Sequence, residues 1–182
     1  MPPPSLLQAV VVHPDDERAA PLFAALTVEY DARYGDLFGG AAQELTRYPT
    51  HLFTAPHGAF VLLLEDDAAV AGGAFMPHPN EDTVEVKRMW TAAGHRRRGL
   101  ARRVLTELEV LAAARGARRV FLTTGPRQPE ARDLYLAADY TPLFDPAVPR
   151  PTDLESLRAL PVAERVYGFT KHLPDHTPGA PR

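Results

Sequence analysis

Apolar and polar positions in the first third of the chain predict one strand followed by one helix. The β-branched run Ser5–Val12 is typical of a strand. Asp15 or Asp16 can cap a helix that ends at Gly35, because the apolar residues after them recur with helical spacing. These apolar residues are Leu22, Phe23, Leu26 and Tyr30. Residues 36–57 follow no single period and are interpreted as an irregular helical or loop segment.

The middle of the chain changes from an alternating pattern to a helical one. Two apolar runs in residues 58–77 surround the acidic stretch Glu65–Asp67 and predict a hairpin. Asp82–Ala92 alternates and predicts a strand. Gly99–Arg115 then has a helical period, and Gly116 can stop that helix. The apolar stripe of this helix is Leu100, Val104, Leu108 and Leu111.

The last third adds two strands, one short helix and a proline-rich segment. Residues 117–124 predict a strand, and residues 128–139 predict a short helix. Phe144–Ala163 is a proline-rich insertion, and Glu164–Leu173 predicts the final strand. The central order of strand, glycine turn, long helix, strand and short helix predicts a βαβ-like core within a mixed sheet, an α+β fold.

Length and composition favour one globular domain. The 182 residues suit a single core, which we place at 1–173, with a disordered tail at 174–182. The formal net charge of −3 gives no general affinity for nucleic acid. The chain has no cysteine, no spacing typical of a metal site, and no apolar run near the roughly 18–20 residues of a membrane span. The start lacks a signal-peptide pattern, so we expect a cytoplasmic protein.

One stretch, "GHRRRGLARRVL" at 94–105, concentrates positive charge at a glycine between a strand and a helix. Backbone N–H groups at a helix start bind anions, and arginines add bidentate phosphate donors. A P-loop is rejected because Leu100 and Ala101 stand where lysine and serine or threonine are needed. A G-x-G-x-x-G fingerprint is absent, and no aromatic residues are interleaved for nucleic-acid stacking. A solvated, arginine-rich helix start is the plain structural alternative.

The wider context resembles the GNAT acyltransferase superfamily. In "EVKRMWTAAGHRRRGLARRVL", Arg96, Gly99 and Ala101 occupy the positions of the family pattern R/Q-x-x-G-x-G/A. Downstream, "TGPRQPEARDLYLAADYTPL" resembles the closing motif of the same family, a short helix with a tyrosine before a strand. Together the two motifs span Val84–Leu143. The resemblance implies a mixed, mostly antiparallel sheet with two splayed parallel strands, flanked by helices.

The resemblance also implies a binding site for acetyl-CoA. Its pyrophosphate would contact the backbone and side chains at the start of the long helix, and its pantetheine arm would lie along the preceding strand. The implied cofactor residues are Met89, Trp90, Thr91, Arg96, Arg97, Arg98, Gly99, Leu100, Ala101, Arg102 and Gln128. Two positions depart from the family, which often has proline near Ala93 and glycine at Arg97. We therefore expect the backbone of Arg97 not to be left-handed.

Two residues are candidates for the chemistry. Tyr135 matches the family tyrosine that protonates the leaving thiolate, while a tyrosine that only packs its ring in the core is the alternative. Glu85 is the candidate base, and an exposed carboxylate that pairs with Lys87 or Arg88 is its alternative. Regular alternation would place Glu85, Lys87 and Met89 on one face of the strand, and Val86, Arg88 and Trp90 on the other.

Three functions follow from these observations. The first is an N-acetyltransferase that uses acetyl-CoA and a small-molecule or peptide amine. The second is a non-catalytic acyl-CoA-binding or regulatory module of the same fold. The third, a nucleic-acid-binding protein, is disfavoured by the net charge. Among partners, a homodimer is compatible with the sequence and a membrane is not expected. The family resemblance places acceptor recognition in Glu29–Thr50 and in Phe144–Ala163.

Overall fold

A computed structural model describes residues 6–174 of the protein and shows one sheet between two layers of helices. Its strands are β1 (Leu7–Val12), β2 (Ala59–Glu65), β3 (Ala68–Pro77), β4 (Thr83–Thr91), β5 (Arg119–Thr124), β6 (Thr141–Pro142) and β7 (Tyr167–His172). Its helices are α1 (Ala20–Tyr34), α2 (Ala41–Thr46), α3 (Leu100–Ala114), α4 (Pro129–Ala137) and α5 (Leu154–Ala159). Short 3₁₀ turns lie at Glu17–Ala19, Thr50–Phe53, Ala93–His95 and Val162–Glu164. None of the helices described is long and apolar enough to cross a membrane.

The seven strands form one mixed sheet in the order β1-β2-β3-β4-β5-β7-β6. All neighbours are antiparallel except β4 and β5, which run parallel because α3 connects them. The mixed α+β class with a parallel pair, expected from the family resemblance, is therefore confirmed.

Each face of the sheet is covered by a separate apolar core. On one face, Val104 and Leu108 of α3 pack on Val84 and Val86 of β4, and we call this the α3 side. On the other face, α1 packs on β2 and β3, and we call this the α1 side. Residues of the α1-side core include Leu22, Leu26, Phe53, Phe60 and Trp90. The stripe predicted for α3 is thus the stripe that packs on the sheet, with Leu111 only partly buried.

The proline-rich insertion contains a helix that its composition does not indicate. Asp153 caps α5 by accepting a hydrogen bond from Ser156 N at 2.8 Å. Leu157 of α5 is fully buried against Tyr34 and Leu37, at the end of α1 and just beyond it. The insertion is therefore folded back onto α1. The tail predicted at 174–182 lies outside the described residues, apart from Pro174.

Candidate functional site

The parallel strands β4 and β5 separate partway along their length. They are paired from Thr83 with Arg119 to Val86 with Leu122, and β4 then continues to Thr91 without β5 beside it. This divergence opens the sheet in its middle. Backbone groups and side chains from both strands become accessible there.

A β-bulge lies in β4 at the point of divergence. Gly72 of β3 faces Trp90, and Ala74 faces Lys87, so two residues of β4 oppose the single Gly73. Arg88, one of these two residues, has a φ of 60°. A bulge of this kind adds one residue to a strand and redirects the side chains that follow it.

The bulge overturns the faces that regular alternation predicts for β4. Val86 and Met89 both pack on the α3 side. Trp90 packs on the α1 side, and the guanidinium of Arg88 lies 4.0 Å from the Phe53 ring centroid of the same core. Lys87 also faces this side, with its Nζ 5.0 Å from the ring centroid of Tyr48. Met89 therefore does not share a face with Lys87 and Glu85, because the extra residue shifts the alternation by one position.

The first cavity is a cleft of about 570 Å³ at the start of α3, which we call the α3 cleft. It brings together ten of the eleven cofactor residues expected from the family resemblance. They are Met89, Trp90, Thr91, Arg96, Arg97, Gly99, Leu100, Ala101, Arg102 and Gln128. Glu29, Arg33, Glu130, Ala131 and Leu134 complete the lining.

Arg98 is the one expected cofactor residue that does not line the α3 cleft. Its guanidinium donates to both carboxylate oxygens of Glu65, at 3.1 and 2.6 Å, and Nη1 lies 2.6 Å from Nδ1 of His95. The hydrogen bond from Arg98 is the main reason that the pKa of Glu65 lies below its usual value. Arg98 thus fastens the loop before α3 to the end of β2.

The start of α3 has the geometry of an anion site. Gly99 precedes the helix with a φ of 76°, and no side chain caps the helix. The first N–H groups of α3 have no intrahelical partner, and the helix dipole favours negative charge near them. Arg97 has a φ of 62°, so the expectation that its backbone is not left-handed was wrong. The tight turn before α3 therefore contains two left-handed positions, Arg97 and Gly99, separated by Arg98.

Charged side chains across the α3 cleft form a network with excess positive charge. Arg96 Nη2 lies 3.6 Å from Glu29 Oε2, and Arg33 Nε lies 3.3 Å from Glu29 Oε1. Arg33 also forms an ion pair with Glu130. Among the lining residues, Arg33, Arg96, Arg97 and Arg102 outnumber these two carboxylates. The cleft can therefore compensate the charge of a polyanion at its α3 end.

Farther along the cleft, Thr91 provides an unused polar atom. Its Oγ1 is buried and has no hydrogen-bond partner among residues 6–174. Buried hydroxyls in native proteins nearly always have a partner. An elongated ligand with phosphates at α3 and an amide-containing arm along β4 would supply one. Acetyl-CoA has that chemistry, so the residues present fit it.

The second cavity, of about 350 Å³, lies between α1, α2, β4 and the end of the insertion. We call it the tyrosine pocket, after Tyr30, Tyr34 and Tyr48 in its wall. Val162, Ala163 and Val166 close one side, so the insertion contributes to this pocket. Burial raises the pKa of Tyr34 to about 12, which keeps its phenol protonated at neutral pH. Both regions expected to recognise the acceptor thus contribute to one cavity.

Glu85, the candidate base, lines the tyrosine pocket. Its Oε1 lies 2.8 Å from Lys87 Nζ, and the two side chains are only 12% and 17% exposed. In the structure Glu85 is therefore paired with Lys87, as in the alternative interpretation of this residue as an ion-paired carboxylate. That contact also holds the carboxylate inside the pocket, where an acceptor amine could reach it.

Gln128 joins the two cavities, because it lines both. Its Oε1 accepts from Tyr34 Oη at 3.4 Å, from Thr124 Oγ1 at 3.3 Å and from Gly125 N at 3.4 Å. A Cβ at Gly125 would come within 2.0 Å of the Tyr34 hydroxyl, so only glycine permits this approach. The α3 cleft and the tyrosine pocket therefore meet at the point where β4 and β5 diverge.

Tyr135, the candidate acid, lies on α4 and is 4% exposed. Its ring packs 5.5 Å from that of Phe169 and 5.9 Å from that of Tyr140, between centroids. It is in the wall of neither cavity. Burial raises the pKa of Tyr135 above its usual value, with a smaller contribution from the nearby Tyr30. The phenol therefore carries its proton at neutral pH.

Sequence reasoning missed Arg88 and the tyrosines of the pocket. The sequence presents Arg88 only as an ion-pair partner of Glu85, because β4 has three charged residues, Glu85, Lys87 and Arg88, and nothing in the pattern distinguishes Arg88 among them. Helical spacing assigns Tyr30 to the packing face of α1, and the structure places it there, partly buried against the α1-side core. No local pattern identifies the bulge, because its left-handed residue is arginine rather than glycine.

Comparisons with known proteins agree with this geometry. The model of the acetyltransferase (GNAT) family matches residues 10–140. A GNAT-family acetyltransferase from Staphylococcus aureus Mu50 has a TM-score of 0.67 at 12% identity, covering 93% of this chain and 100% of that one. An acetyltransferase from Streptococcus agalactiae 2603 has a TM-score of 0.66 at 15% identity, covering 92% and 98%.

A third similar structure is larger than this protein. It is N-acetylglutamate synthase from Neisseria gonorrhoeae, solved with coenzyme A and N-acetyl-glutamate. It has a TM-score of 0.61 at 16% identity, and the match covers 94% of this chain but 36% of that one. A comparison with curated proteins found no match. At these identities the structures show a shared fold, whereas the family model spans most of the sequence, and the chain therefore belongs to the acetyltransferase (GNAT) family.

Proposed function

We propose that the protein is an N-acetyltransferase that moves the acetyl group of acetyl-CoA to a primary amine by direct attack within a ternary complex. The observation that carries this proposal is the meeting of two different cavities at Gln128. One cavity offers an anion site at α3, and the other offers a buried carboxylate and phenols. A donor and an acceptor could then bind together, one in each cavity.

In the α3 cleft, the N–H groups at the start of α3 would bind the pyrophosphate, helped by Arg97 and Arg102. Thr91 Oγ1 and the backbone of Met89 would bind the arm that leads to the thioester. When bound, acetyl-CoA supplies an acetyl group on a thioester. Arg98 has no part in this proposal, because it is paired with Glu65.

In the tyrosine pocket, Glu85 would accept a proton from the acceptor. A lysine-like amine with a pKa of about 10.4 is neutral in only about one molecule in two thousand at pH 7. Deprotonating it therefore costs about 4–5 kcal/mol. A carboxylate close to the amine, acting directly or through water, would lower that cost. The pair with Lys87 holds the Glu85 carboxylate in place until the ammonium group of the acceptor replaces Lys87 as its partner.

At the leaving sulfur, Tyr135 would donate the proton. The phenol is buried and protonated, so it can donate a hydrogen bond or a proton from Oη. Its raised pKa makes it a weak acid relative to a thiol of about 8.5. We therefore place its contribution near the lower end of general acid catalysis, which is about 10²–10⁴-fold.

The test measures turnover of acetyl-CoA with a library of amines, with the release of free thiol as the readout. Calorimetry measures the binding of acetyl-CoA separately. The proposal expects binding and thiol release with at least one class of amine. Binding without turnover would favour a non-catalytic acyl-CoA-binding module of the same fold. The burial of Tyr135 outside both cavities is the observation that favours this second function. Absence of binding would overturn both.

A further inference from the structure

The lining of the tyrosine pocket has one more positive side chain than it has carboxylates. Five charged side chains line it, namely Glu44, Arg47, Glu85, Lys87 and Arg88. Glu85 pairs with Lys87 at 2.8 Å, and Glu44 pairs with Arg47 at 3.3 Å. The charges of these four residues cancel, and Arg88 remains.

Arg88 is buried and has no ion-pair partner among the described residues, although the Glu44 carboxylate, which pairs with Arg47, interacts favourably with its charge at longer range. It is 9% exposed, and its guanidinium lies 4.0 Å from the ring centroid of Phe53 and 5.3 Å from that of Phe23. Within residues 6–174, its guanidinium makes one hydrogen bond, from Nη2 to the carbonyl oxygen of Leu45 at 2.7 Å, and it forms no ion pair. A guanidinium has five N–H donors, so most of the fork is unused. Buried charges are usually paired, which makes an unpaired arginine in a cavity wall a feature to explain.

The backbone and the aromatic rings hold Arg88 in this position. The bulge turns its side chain to the α1 side, away from Val86 and Met89. The two rings and the Leu45 carbonyl then fix the guanidinium without neutralising it. A planar donor held in this way is preorganised for a planar anion such as a carboxylate.

We propose that the acceptor is an amino carboxylic acid, whose carboxylate binds Arg88 while its amine faces Glu85. This inference rests on the proposed function and names the substrate class for it. One uncompensated positive charge matches one carboxylate, whereas a phosphate monoester would bring about 1.5 to 2 negative charges. The pocket volume of about 350 Å³ suits a small molecule. Its phenols and Phe38 offer an apolar surface to the rest of the acceptor.

The proposed reaction balances as a simple acyl transfer. A C–N bond forms between the acceptor nitrogen and the acetyl carbon, and the C–S bond of the thioester breaks. The ammonium group loses two protons in this reaction. One leaves to solvent through Glu85. The other balances the proton that Tyr135 donates to the leaving sulfur. The products are an N-acetylated amino acid and the free thiol.

The substrate test compares matched acceptors with the unaltered, full-length protein and acetyl-CoA. Each set contains an amino acid, its carboxamide and its decarboxylated amine, with the amine α, β or γ to the carboxylate. We expect at least one amino acid to exceed its carboxamide in kcat/KM by about tenfold or more, as for a lost hydrogen bond to a charged group. The ammonium group of the carboxamide is more acidic than that of the amino acid, so more of the carboxamide is present as the reactive neutral amine. Intrinsic reactivity therefore favours the carboxamide, and a preference for the amino acid must come from binding.

The outcomes separate the two proposals. Turnover of amines with equal or higher kcat/KM for the carboxamides would overturn the carboxylate inference and leave the acetyltransferase intact. Turnover with no amine at all, despite acetyl-CoA binding, would overturn the proposed function and this inference with it. A preference for the amino acid supports both.

A variant test assigns the preference to Arg88. Arg88→Met keeps an unbranched side chain between Phe23 and Phe53 and should reduce the ratio of kcat/KM for acid over carboxamide by about tenfold or more. Arg88→Lys keeps the charge and should retain part of the ratio. Arg103→Met is the control, because Arg103 is on the exposed face of α3 and pairs with Glu107 at 2.7 Å. The ratio of kcat/KM for acid over carboxamide does not depend on the folded fraction of the variant, because both values are measured on the same sample. An unchanged ratio in Arg88→Met would overturn the assignment of the carboxylate preference to Arg88.

Discussion

Arg97 holds a left-handed backbone at the edge of the α3 cleft, and this conformation should be measurable as lost stability. Its φ is 62°, and the left-handed region costs an L-residue about 1–2 kcal/mol. Glycine has no such penalty, because it lacks Cβ. We therefore expect Arg97→Gly to be more stable than Arg97→Ala. Both variants lose the guanidinium, so their difference isolates the backbone.

The expected difference in the free energy of unfolding between the two variants has two parts. Glycine removes the steric strain of the left-handed backbone, but it also makes the unfolded chain more flexible. Glycine in an ordinary position costs about 0.5–1 kcal/mol relative to alanine, because its unfolded state is more flexible. Subtracting the midpoints of these two ranges leaves about 0.75 kcal/mol in favour of Arg97→Gly. For a chain of this size, that corresponds to a rise in Tm of about 1.5–3 °C over Arg97→Ala.

The assay is equilibrium unfolding in urea, supported by calorimetry, on both variants. Arg98 gives the matched control, because it is the next residue and its φ lies outside the left-handed region. Arg98→Gly and Arg98→Ala both lose the ion pair with Glu65, and alanine should be the more stable of the two. If alanine is also the more stable residue at position 97, the strain assigned to that backbone is refuted.

Three further predictions concern the proposed chemistry. Gly99→Val places a side chain where the backbone has a φ of 76° and should abolish acetyl-CoA binding in calorimetry, while Gly94→Val, with open space and no positive φ, should bind normally. Tyr135→Phe should keep acetyl-CoA affinity and lower kcat by at least about tenfold, and normal turnover would remove Tyr135 from the mechanism. Tyr140→Phe is its control, because it removes a hydroxyl that donates to Glu109 at 2.9 Å and should cost stability but not kcat. Glu85→Gln should lower kcat most at neutral pH and less at high pH, where the amine is already neutral; a loss independent of pH would point to binding or folding.

The α3 cleft was largely predictable because its signals are local. The stripe of α3 and the glycine before it follow from spacing along the chain, and an anion site at a helix start follows from backbone chemistry. Arg98 shows the limit of that reasoning. In a tight turn, adjacent arginines point in different directions, and Arg98 pairs with Glu65, which is 33 residues away in sequence.

The tyrosine pocket could not be predicted, because distant segments build it. Its wall includes residues from α1, α2, β4 and the end of the insertion. The insertion contacts α1 through Leu157, and nothing in a proline-rich composition indicates where such a segment packs. The two regions to which the family resemblance assigns acceptor recognition both contribute residues to this pocket.

The bulge at Arg88 is the feature on which both cavities depend. In a regular β4, Arg88 would point to the α3 side together with Val86, where the core around Val104 and Leu108 offers a guanidinium no acceptor. With one extra residue, Arg88 reaches Phe53 and the Leu45 carbonyl instead, and Met89 takes the α3-side position. The left-handed backbone of Arg88 costs about 1–2 kcal/mol, and the hydrogen bond to the Leu45 carbonyl and the faces of Phe23 and Phe53 offset that cost. Glu85 and Lys87 precede the bulge and share a face without it, so the bulge adds only Arg88 to the charged residues that line the tyrosine pocket. The placement of Arg88 is thus decided by the strand backbone and not by the alternation of the sequence.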